Sequence, residues 1–127
     1  DHFKQVNDQY GHAVGDQVLQ TFAQQARQLT RDADIVARWG GEEFLIAMPE
    51  TSAEGAALLV ERLREVLDAV RISDEVPSLR AAFSAGIAAH RQGESSDQTV
   101  IRADQALYQA KETGRHRSVV ADAHSDA

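Results

Sequence analysis

The sequence predicts an α/β fold in which helices pack on short strands as an α+β sandwich. Three long segments carry apolar residues at helical spacing, and short apolar segments with strand character lie between them. Of the 127 residues 43% are apolar, which is enough to build one core, and this length fits one domain. We expect the domain to cover residues 1–120 and residues 121–127 to form a flexible tail.

Four segments are predicted to be helical, from the spacing of their apolar residues or from the residues that precede them. They are residues 2–10 (a short helix or turn), 16–29, the segment after Thr51-Ser52, and 99–112. Asp16 is expected to cap the second helix or to favour its first turn. Gly114 is expected to end the last helix, because glycine accepts the backbone conformation that follows a helix end.

Strand character is predicted for four further segments. They are residues 34–39, 44–48, 79–89 and 118–120. Gly40-Gly41 separates the first two and predicts a β-hairpin, because glycine tolerates the positive φ that tight turns need. Gly86 interrupts the third strand and marks a bulge or a point where another backbone approaches closely.

The charge balance and the absence of cysteine exclude several classes of partner and of binding site. With 13 Lys and Arg against 20 Asp and Glu, the net charge is −7, which argues against a nucleic-acid polymer as partner. The absence of cysteine excludes disulfides and thiolate metal sites. No apolar run approaches the ~20 residues of a membrane span, so we expect a cytoplasmic chain, whether or not a parent protein is anchored to a membrane. The first residue is Asp rather than Met, which suggests a fragment.

The predicted hairpin places two carboxylates beside two glycines, in the run Gly40-Gly41-Glu42-Glu43. Glycine removes side-chain bulk, so a large ligand can approach the backbone there. A carboxylate at this place can hold a hard cation such as Mg²⁺, which prefers oxygen ligands and keeps phosphate oxygens in its shell. An ordinary hairpin with solvated acidic residues would produce the same pattern.

Two further pairs of polar residues could bind a nucleotide. Lys111 and Arg115 lie four residues apart and could clamp a triphosphate, although cations also suit the C-terminal end of a helix. Asn7 and Asp16 could bind a guanine edge through an amide and a carboxylate, although both residue types also serve turns and caps.

Taken together, four segments resemble one family, the GGDEF diguanylate cyclase domain, in their order and spacing. The segments are Asp1–Asp8 (DHFKQVND), Gly11–Asp16 (GHAVGD), Arg38–Phe44 (RWGGEEF) and Ala103–Arg115 (ADQALYQAKETGR). The third segment carries the signature motif of the family, in the form GGEEF. The resemblance implies a nucleotidyl-cyclase-like, ferredoxin-like fold with a mostly antiparallel central sheet between helices. It also implies that the first central strand and the main metal-binding Asp lie before residue 1.

The resemblance implies the condensation of two GTP into cyclic di-GMP and two pyrophosphates, by a homodimer that uses Mg²⁺ or Mn²⁺. It places Glu42, Glu43 and Lys4 among the catalytic residues, with Glu42 also a metal ligand, and Gly40 and Gly41 against the substrate. Asn7 and Asp16 match the guanine-binding positions, and Lys111 and Arg115 match the phosphate contacts.

The resemblance also implies regulation. Arg31 and Asp34 match an R-x-x-D site that binds cyclic di-GMP as an inhibitor, and Arg62 falls where a helix arginine completes that site. From the residues alone, Arg31 and Asp34 are equally well a surface ion pair. A non-catalytic domain that binds GTP or cyclic di-GMP and signals to an attached domain is the alternative function. In either case we expect a sensory domain on the N-terminal side.

Overall fold

A computed structural model of the protein describes residues 3–40 and 43–121. The elements in these ranges are α1 Phe3–Tyr10, α2 His12–Leu29, β1 Ile35–Gly40, β2 Glu43–Ala47, α3 Ala53–Ala69, β3 Ala85–Ile87, α4 Ser96–Glu112 and β4 Ser118–Val120. This mixture of helices and short strands confirms the predicted α+β class. Of the expected tail, only residue 121 lies within the described ranges.

The chain forms two compact units. The first contains Asp1–Pro49 and Arg62–Ala82, and the second contains Glu50–Glu61 and Phe83–Ala127. Helix α3 therefore begins in the second unit and ends in the first. It starts where the sequence predicts, because the Ser52 hydroxyl accepts a hydrogen bond of 3.0 Å from the Gly55 amide.

In the first unit, α2 begins four residues earlier than predicted. Gly11 separates α1 from α2 with φ +93°, and the helix continues from His12 through Gly15 without a side-chain cap. The expectation that Asp16 caps this helix is therefore wrong. Asp16 lies inside the helix with its side chain exposed, so its carboxylate has no role in starting the helix.

The β1–β2 hairpin is antiparallel, as predicted, and its register pairs Arg38 with Phe44 and Gly40 with Glu43. Trp39 is therefore an extra residue on β1, which forms a bulge directly before the turn. The hairpin packs on α2, where the rings of Phe22 and Phe44 lie 4.8 Å apart between centroids. This contact holds one end of the hairpin against the helix.

In the second unit, β3 and β4 pair in parallel, with Gly86 opposite Val119. Parallel neighbours need a crossover connection, and α4 supplies it as the middle of a β–α–β unit. Among the described residues the strands thus form two separate pairs, one antiparallel and one parallel, where the resemblance implies a mostly antiparallel sheet.

Strand β3 has only three residues, whereas the sequence predicts a strand over residues 79–89. At the start of the predicted strand, the Arg80 side chain binds backbone carbonyl groups. The guanidinium of Arg80 donates to the carbonyl oxygens of Asp68, Pro77 and Leu79 at 2.8–2.9 Å. Of these three oxygens, that of Leu79 belongs to the predicted strand, and it bonds to a side chain rather than to a neighbouring strand.

Helix α4 begins at Ser96 rather than at residue 99. A capping box accounts for the difference: the Ser95 hydroxyl accepts from the Gln98 amide, and the Gln98 side chain accepts from the Ser95 amide. The predicted end is confirmed, since Gly114 follows the C-cap with φ +127° and the Arg115 amide donates to the Ala110 carbonyl at 2.9 Å.

Glu94 joins the loop before α4 to the helix itself. It accepts hydrogen bonds from the Arg102 guanidinium at 2.6 and 2.7 Å, from the Thr99 hydroxyl at 2.7 Å and from the Arg91 amide at 3.1 Å. The bonds from Arg102 contribute most to lowering the pKa of Glu94 well below its ordinary value.

This lowered pKa predicts a stability loss in acid. The folded state holds Glu94 ionised, so its contribution is complete above the ordinary pKa of about 4.3 and is lost as the pH falls below that value. Urea denaturation between about pH 6 and pH 2 should show a smaller acid decrease for Glu94→Gln than for the wild type. Glu112→Gln, on the exposed end of α4, is the matched control. Equal pH dependence in all three proteins would contradict the prediction.

None of the helices in the described ranges has both the length and the apolar character required to cross a lipid bilayer.

Candidate functional site

Gly40 and Glu43 are the described residues on the two sides of the hairpin turn. Gly40 ends β1 and lies opposite Glu43, the exposed first residue of β2. A Cβ built on Gly40 would meet no atom of the described residues within 4 Å, and the φ of Gly40 lies outside the left-handed region. Neither packing nor backbone conformation therefore requires glycine at this position, which is consistent with a role in contacting a ligand. Gly41 and Glu42 lie outside the described residues.

Trp39 is a feature of this site that the sequence patterns did not single out as functional. Its side chain is 57% exposed, on the bulge that precedes Gly40. The bulge depends on the strand register, and the only available signal was an aromatic residue beside the glycine pair. An exposed indole here offers a flat apolar surface next to the hairpin tip.

Asn7 carries a side-chain oxygen that has no hydrogen-bond partner among the described residues. It lies in α1 close to the junction with α2, where the Gly11 amide donates to the Asn7 carbonyl at 2.9 Å. The side-chain Oδ1 of Asn7 is buried and accepts no hydrogen bond within the described part of the chain. A buried acceptor without a donor is unfavourable by about 1–3 kcal/mol, so a ligand that supplies an N–H would stabilise this site. Lys4 also belongs to α1, and its side chain lies outside the described residues.

A pocket of about 260 Å³ lies between α2 and the hairpin in the same unit. Its wall combines apolar side chains (Leu19, Val36 and Phe44) with two guanidinium groups (Arg27 and Arg38). Arg27 also donates to the Val36 carbonyl at 3.3 Å, which connects the helix to β1. A wall with apolar and cationic parts suits a ligand with a flat ring and a negative charge.

The cations Lys111 and Arg115 lie at the C-terminal end of α4 in the second unit. Lys111 is in the last turn of the helix, but Arg115 lies beyond the helix end, so the helical i,i+4 argument does not apply to this pair. Arg115 has φ +63° and His116 has φ +49°, both in the left-handed region. The turn after the helix, rather than the helix face, therefore sets the direction of Arg115.

Arg31 and Asp34 form a tightly bonded pair in the first unit. The carboxylate of Asp34 accepts from the Arg31 amide at 2.8 Å and from its guanidinium at 3.0 Å, and Arg31 also donates to the Pro49 carbonyl at 2.6 Å. The Asp34 side chain is completely shielded, whereas that of Arg31 is 56% exposed. These hydrogen bonds from Arg31 lower the pKa of Asp34. Arg62 lies exposed on α3 in the same unit.

Carboxylate oxygens suit a hard cation, and Glu43 supplies one such group at the hairpin end. Within residues 3–40 and 43–121, no three His, Asp or Glu side chains converge as a complete metal site. The donor type at the hairpin nevertheless fits Mg²⁺, which commonly takes one or two protein carboxylates and completes its shell with water and phosphate.

Comparisons with known proteins point to one family. The family described as diguanylate cyclase, GGDEF domain, matches residues 1–117. The chain is 46% identical over 121 residues to the diguanylate cyclase DgcP of Pseudomonas aeruginosa, covering 95% of this chain and 18% of that protein. It is 43% identical to the diguanylate cyclase DgcM of Escherichia coli, covering 95% of this chain and 29% of that protein. The chain thus spans less than a third of the length of these relatives.

Solved structures point to the same family. The active GGEEF domain of a diguanylate cyclase from Vibrio cholerae superimposes with a TM-score of 0.87 at 33% identity, covering 96% of this chain and 78% of that one. The GGDEF domain of DgcB from Caulobacter crescentus, solved in complex with c-di-GMP, has a TM-score of 0.85 at 34% identity, covering 95% and 72%. The chain therefore belongs to the GGDEF family of diguanylate cyclase domains.

Proposed function

We propose that this protein is a diguanylate cyclase that joins two GTP molecules into cyclic di-GMP. The observation that carries the proposal is the family match over residues 1–117, since relatives at 46% and 43% identity are named diguanylate cyclases. In each of two steps, a 3′-oxygen of one nucleotide bonds to the α-phosphorus of the other. The bond from that phosphorus to the pyrophosphate breaks, and the 3′-hydroxyl loses its proton. The two GTP molecules are held by two facing copies of the domain, as a homodimer.

Asn7 and Asp16 bind the guanine base in this proposal. The N1–H and N2–H groups of guanine are donors, and the buried Oδ1 of Asn7 is an acceptor that has no partner among the described residues. Asp16 adds an exposed carboxylate that has no capping role in α2. An acceptor pair of this kind favours guanine over adenine, whose corresponding edge presents an acceptor at N1 and lacks the N2 amine.

Lys4, Lys111 and Arg115 neutralise phosphate charge. Phosphoryl transfer depends mainly on positioning and on charge neutralisation, which is the role that fixed cations serve best. Glu42 accepts the proton of the attacking hydroxyl and would supply a carboxylate oxygen to Mg²⁺ or Mn²⁺. Glu43 is a further catalytic residue beside it. When bound, the cation neutralises phosphate charge and polarises the phosphorus–oxygen bond.

The direct test is turnover of GTP by the protein as its gene encodes it, with products separated by chromatography. We expect cyclic di-GMP and pyrophosphate in a ratio of one to two in the presence of Mg²⁺, and no product when a chelator removes the cation. Retained binding of cyclic di-GMP without any turnover would instead assign the protein to the non-catalytic, ligand-binding class.

Product inhibition at Arg31, Asp34 and Arg62 is part of the same proposal. The support is the ready-made arrangement at Arg31, whose guanidinium is half-exposed and held by a shielded carboxylate. Such a fixed guanidinium can bind a phosphate or a guanine edge with little loss of side-chain entropy.

Arg31→Ala is expected to raise the cyclic di-GMP concentration needed for half-inhibition by at least about tenfold, since charge-assisted hydrogen bonds contribute about 1.5–3 kcal/mol. The chain contains a matched control. Arg71 and Asp74 repeat the R-x-x-D spacing, but their closest atoms are 3.8 Å apart and the Asp74 side chain is 99% exposed. Arg71→Ala should leave inhibition unchanged. Equal inhibition constants for wild type and Arg31→Ala would exclude this site.

A further inference from the structure

The turn after α4 contains three successive residues with positive φ. The values are +127° at Gly114, +63° at Arg115 and +49° at His116. A helix end of this type needs only one such residue, and Gly114 satisfies that need. Side chains at Arg115 and His116 make the left-handed conformation unfavourable, so other contacts must hold these two residues in it.

Two hydrogen bonds join the end of this turn to Ser84, directly before β3, and to Ala85, the first residue of β3. The His116 amide donates to the Ser84 hydroxyl at 3.1 Å, and the Ala85 amide donates to the Arg117 carbonyl at 2.9 Å. The second bond continues the parallel pairing of β3 with β4, so it belongs to the sheet. The Ser84 hydroxyl is different, because it is a side-chain acceptor that binds the backbone of a left-handed residue 32 positions away.

The Arg117 side chain makes a second contact with this turn. The Arg117 Nε donates to the Arg115 carbonyl at 3.2 Å, and a Cβ on Gly114 would lie 2.5 Å from the Arg117 guanidinium. The Arg117 side chain thus folds over Gly114 and back onto Arg115. The peptide group between Arg115 and His116 is therefore held at both of its polar atoms: its N–H by Ser84 and its C=O by Arg117.

We propose that Ser84 is a positioning residue that holds the left-handed turn Gly114–His116 and thereby directs the Arg115 guanidinium toward the GTP phosphates. The inference rests on the proposed function, in which Arg115 contacts those phosphates. Without the hydroxyl, the His116 amide loses its acceptor, and the turn relaxes toward more common φ values. A bidentate guanidinium contact tolerates displacement of only about 0.5 Å, so this relaxation weakens phosphate binding.

The test compares two ligands in Ser84→Ala. A GTP analogue that lacks the 3′-hydroxyl binds without reacting, and guanosine reports on base binding alone. We expect the dissociation constant for the analogue to rise about two- to tenfold and that for guanosine to stay unchanged. Ser84→Thr, which keeps the hydroxyl, should restore analogue binding. Thermal unfolding of each variant shows whether it is folded.

Ser118→Ala is the matched control, because the Ser118 hydroxyl is hydrogen-bonded too, but it donates to Glu61 at 3.1 Å rather than accepting from the turn. A double-mutant cycle then asks whether Ser84 acts through Arg115: Ser84→Ala should have no further effect on analogue binding in an Arg115→Ala background. Additive losses, or equal losses in Ser84→Ala and Ser118→Ala, would overturn the positioning role alone. A wild type that neither binds the analogue nor forms cyclic di-GMP would overturn both this role and the proposed function.

Discussion

Gly86→Ala is expected to lower the free energy of unfolding by about 3 kcal/mol or more. A Cβ at this position of β3 would overlap the Ala103 carbonyl oxygen and the Leu107 amide nitrogen, and it would lie 2.9 Å from the Leu107 Cα. All of these are backbone atoms of α4, which cannot move aside without breaking helical hydrogen bonds. The helix would have to lift off the strand, and its buried small residues would lose their contacts.

Urea denaturation monitored by circular dichroism measures this effect. Gly40→Ala is the matched control, since it introduces the same methyl group in a strand at a position where a Cβ meets none of the described residues within 4 Å. We expect the control to stay within about 0.5 kcal/mol of the wild type. Similar denaturation midpoints for the two variants would mean that α4 does not rest on the backbone of β3.

Glu42→Gln is expected to reduce the turnover number for cyclic di-GMP synthesis by about 10²- to 10⁴-fold, the range associated with a lost general base. Glutamine keeps the size of the side chain but cannot accept the hydroxyl proton. It also replaces a carboxylate with a neutral amide, which is a weaker ligand for Mg²⁺. The change therefore acts on chemistry and on metal affinity together.

Two measurements separate these effects. Turnover at increasing Mg²⁺ concentrations shows whether excess cation restores activity, in which case metal affinity is the main loss. Glu65→Gln makes the same chemical change on the exposed surface of α3 and should retain wild-type turnover. Full activity in Glu42→Gln would mean that another group accepts the proton.

Local signals predicted much of the fold correctly. Gly40-Gly41 between two strand segments predicted the antiparallel hairpin, Ser52 predicted the start of α3, and Gly114 predicted the end of α4. In each case the residues whose interaction forms the turn or the helix end lie close together in the sequence. Gly86 was predicted to mark either a bulge or a close approach of another backbone, and the structure shows the close approach.

For the candidate site, residue types and spacing alone did not decide between the possible functions of the protein or between the possible roles of its residues. Glu42 and Glu43 suit a metal or solvent, and Asn7 and Asp16 suit a base edge or a cap, so the resemblance to a family had to decide between them. The structure removes one alternative, since Asp16 caps nothing. It adds an independent observation at Asn7, whose Oδ1 is buried without a partner in the described part of the chain.

The sequence by itself determined the α+β class, the hairpin and the family, because these depend on periodicity, turn residues and ordered motifs. Only the tertiary structure decided the parallel pairing of β3 with β4, the bulge at Trp39 and the left-handed conformation of Arg115 and His116. Each of these arises from contacts between different segments of the chain, such as Ser84 with His116. Such contacts leave no periodic signal, because they depend on where two elements meet rather than on what either contains.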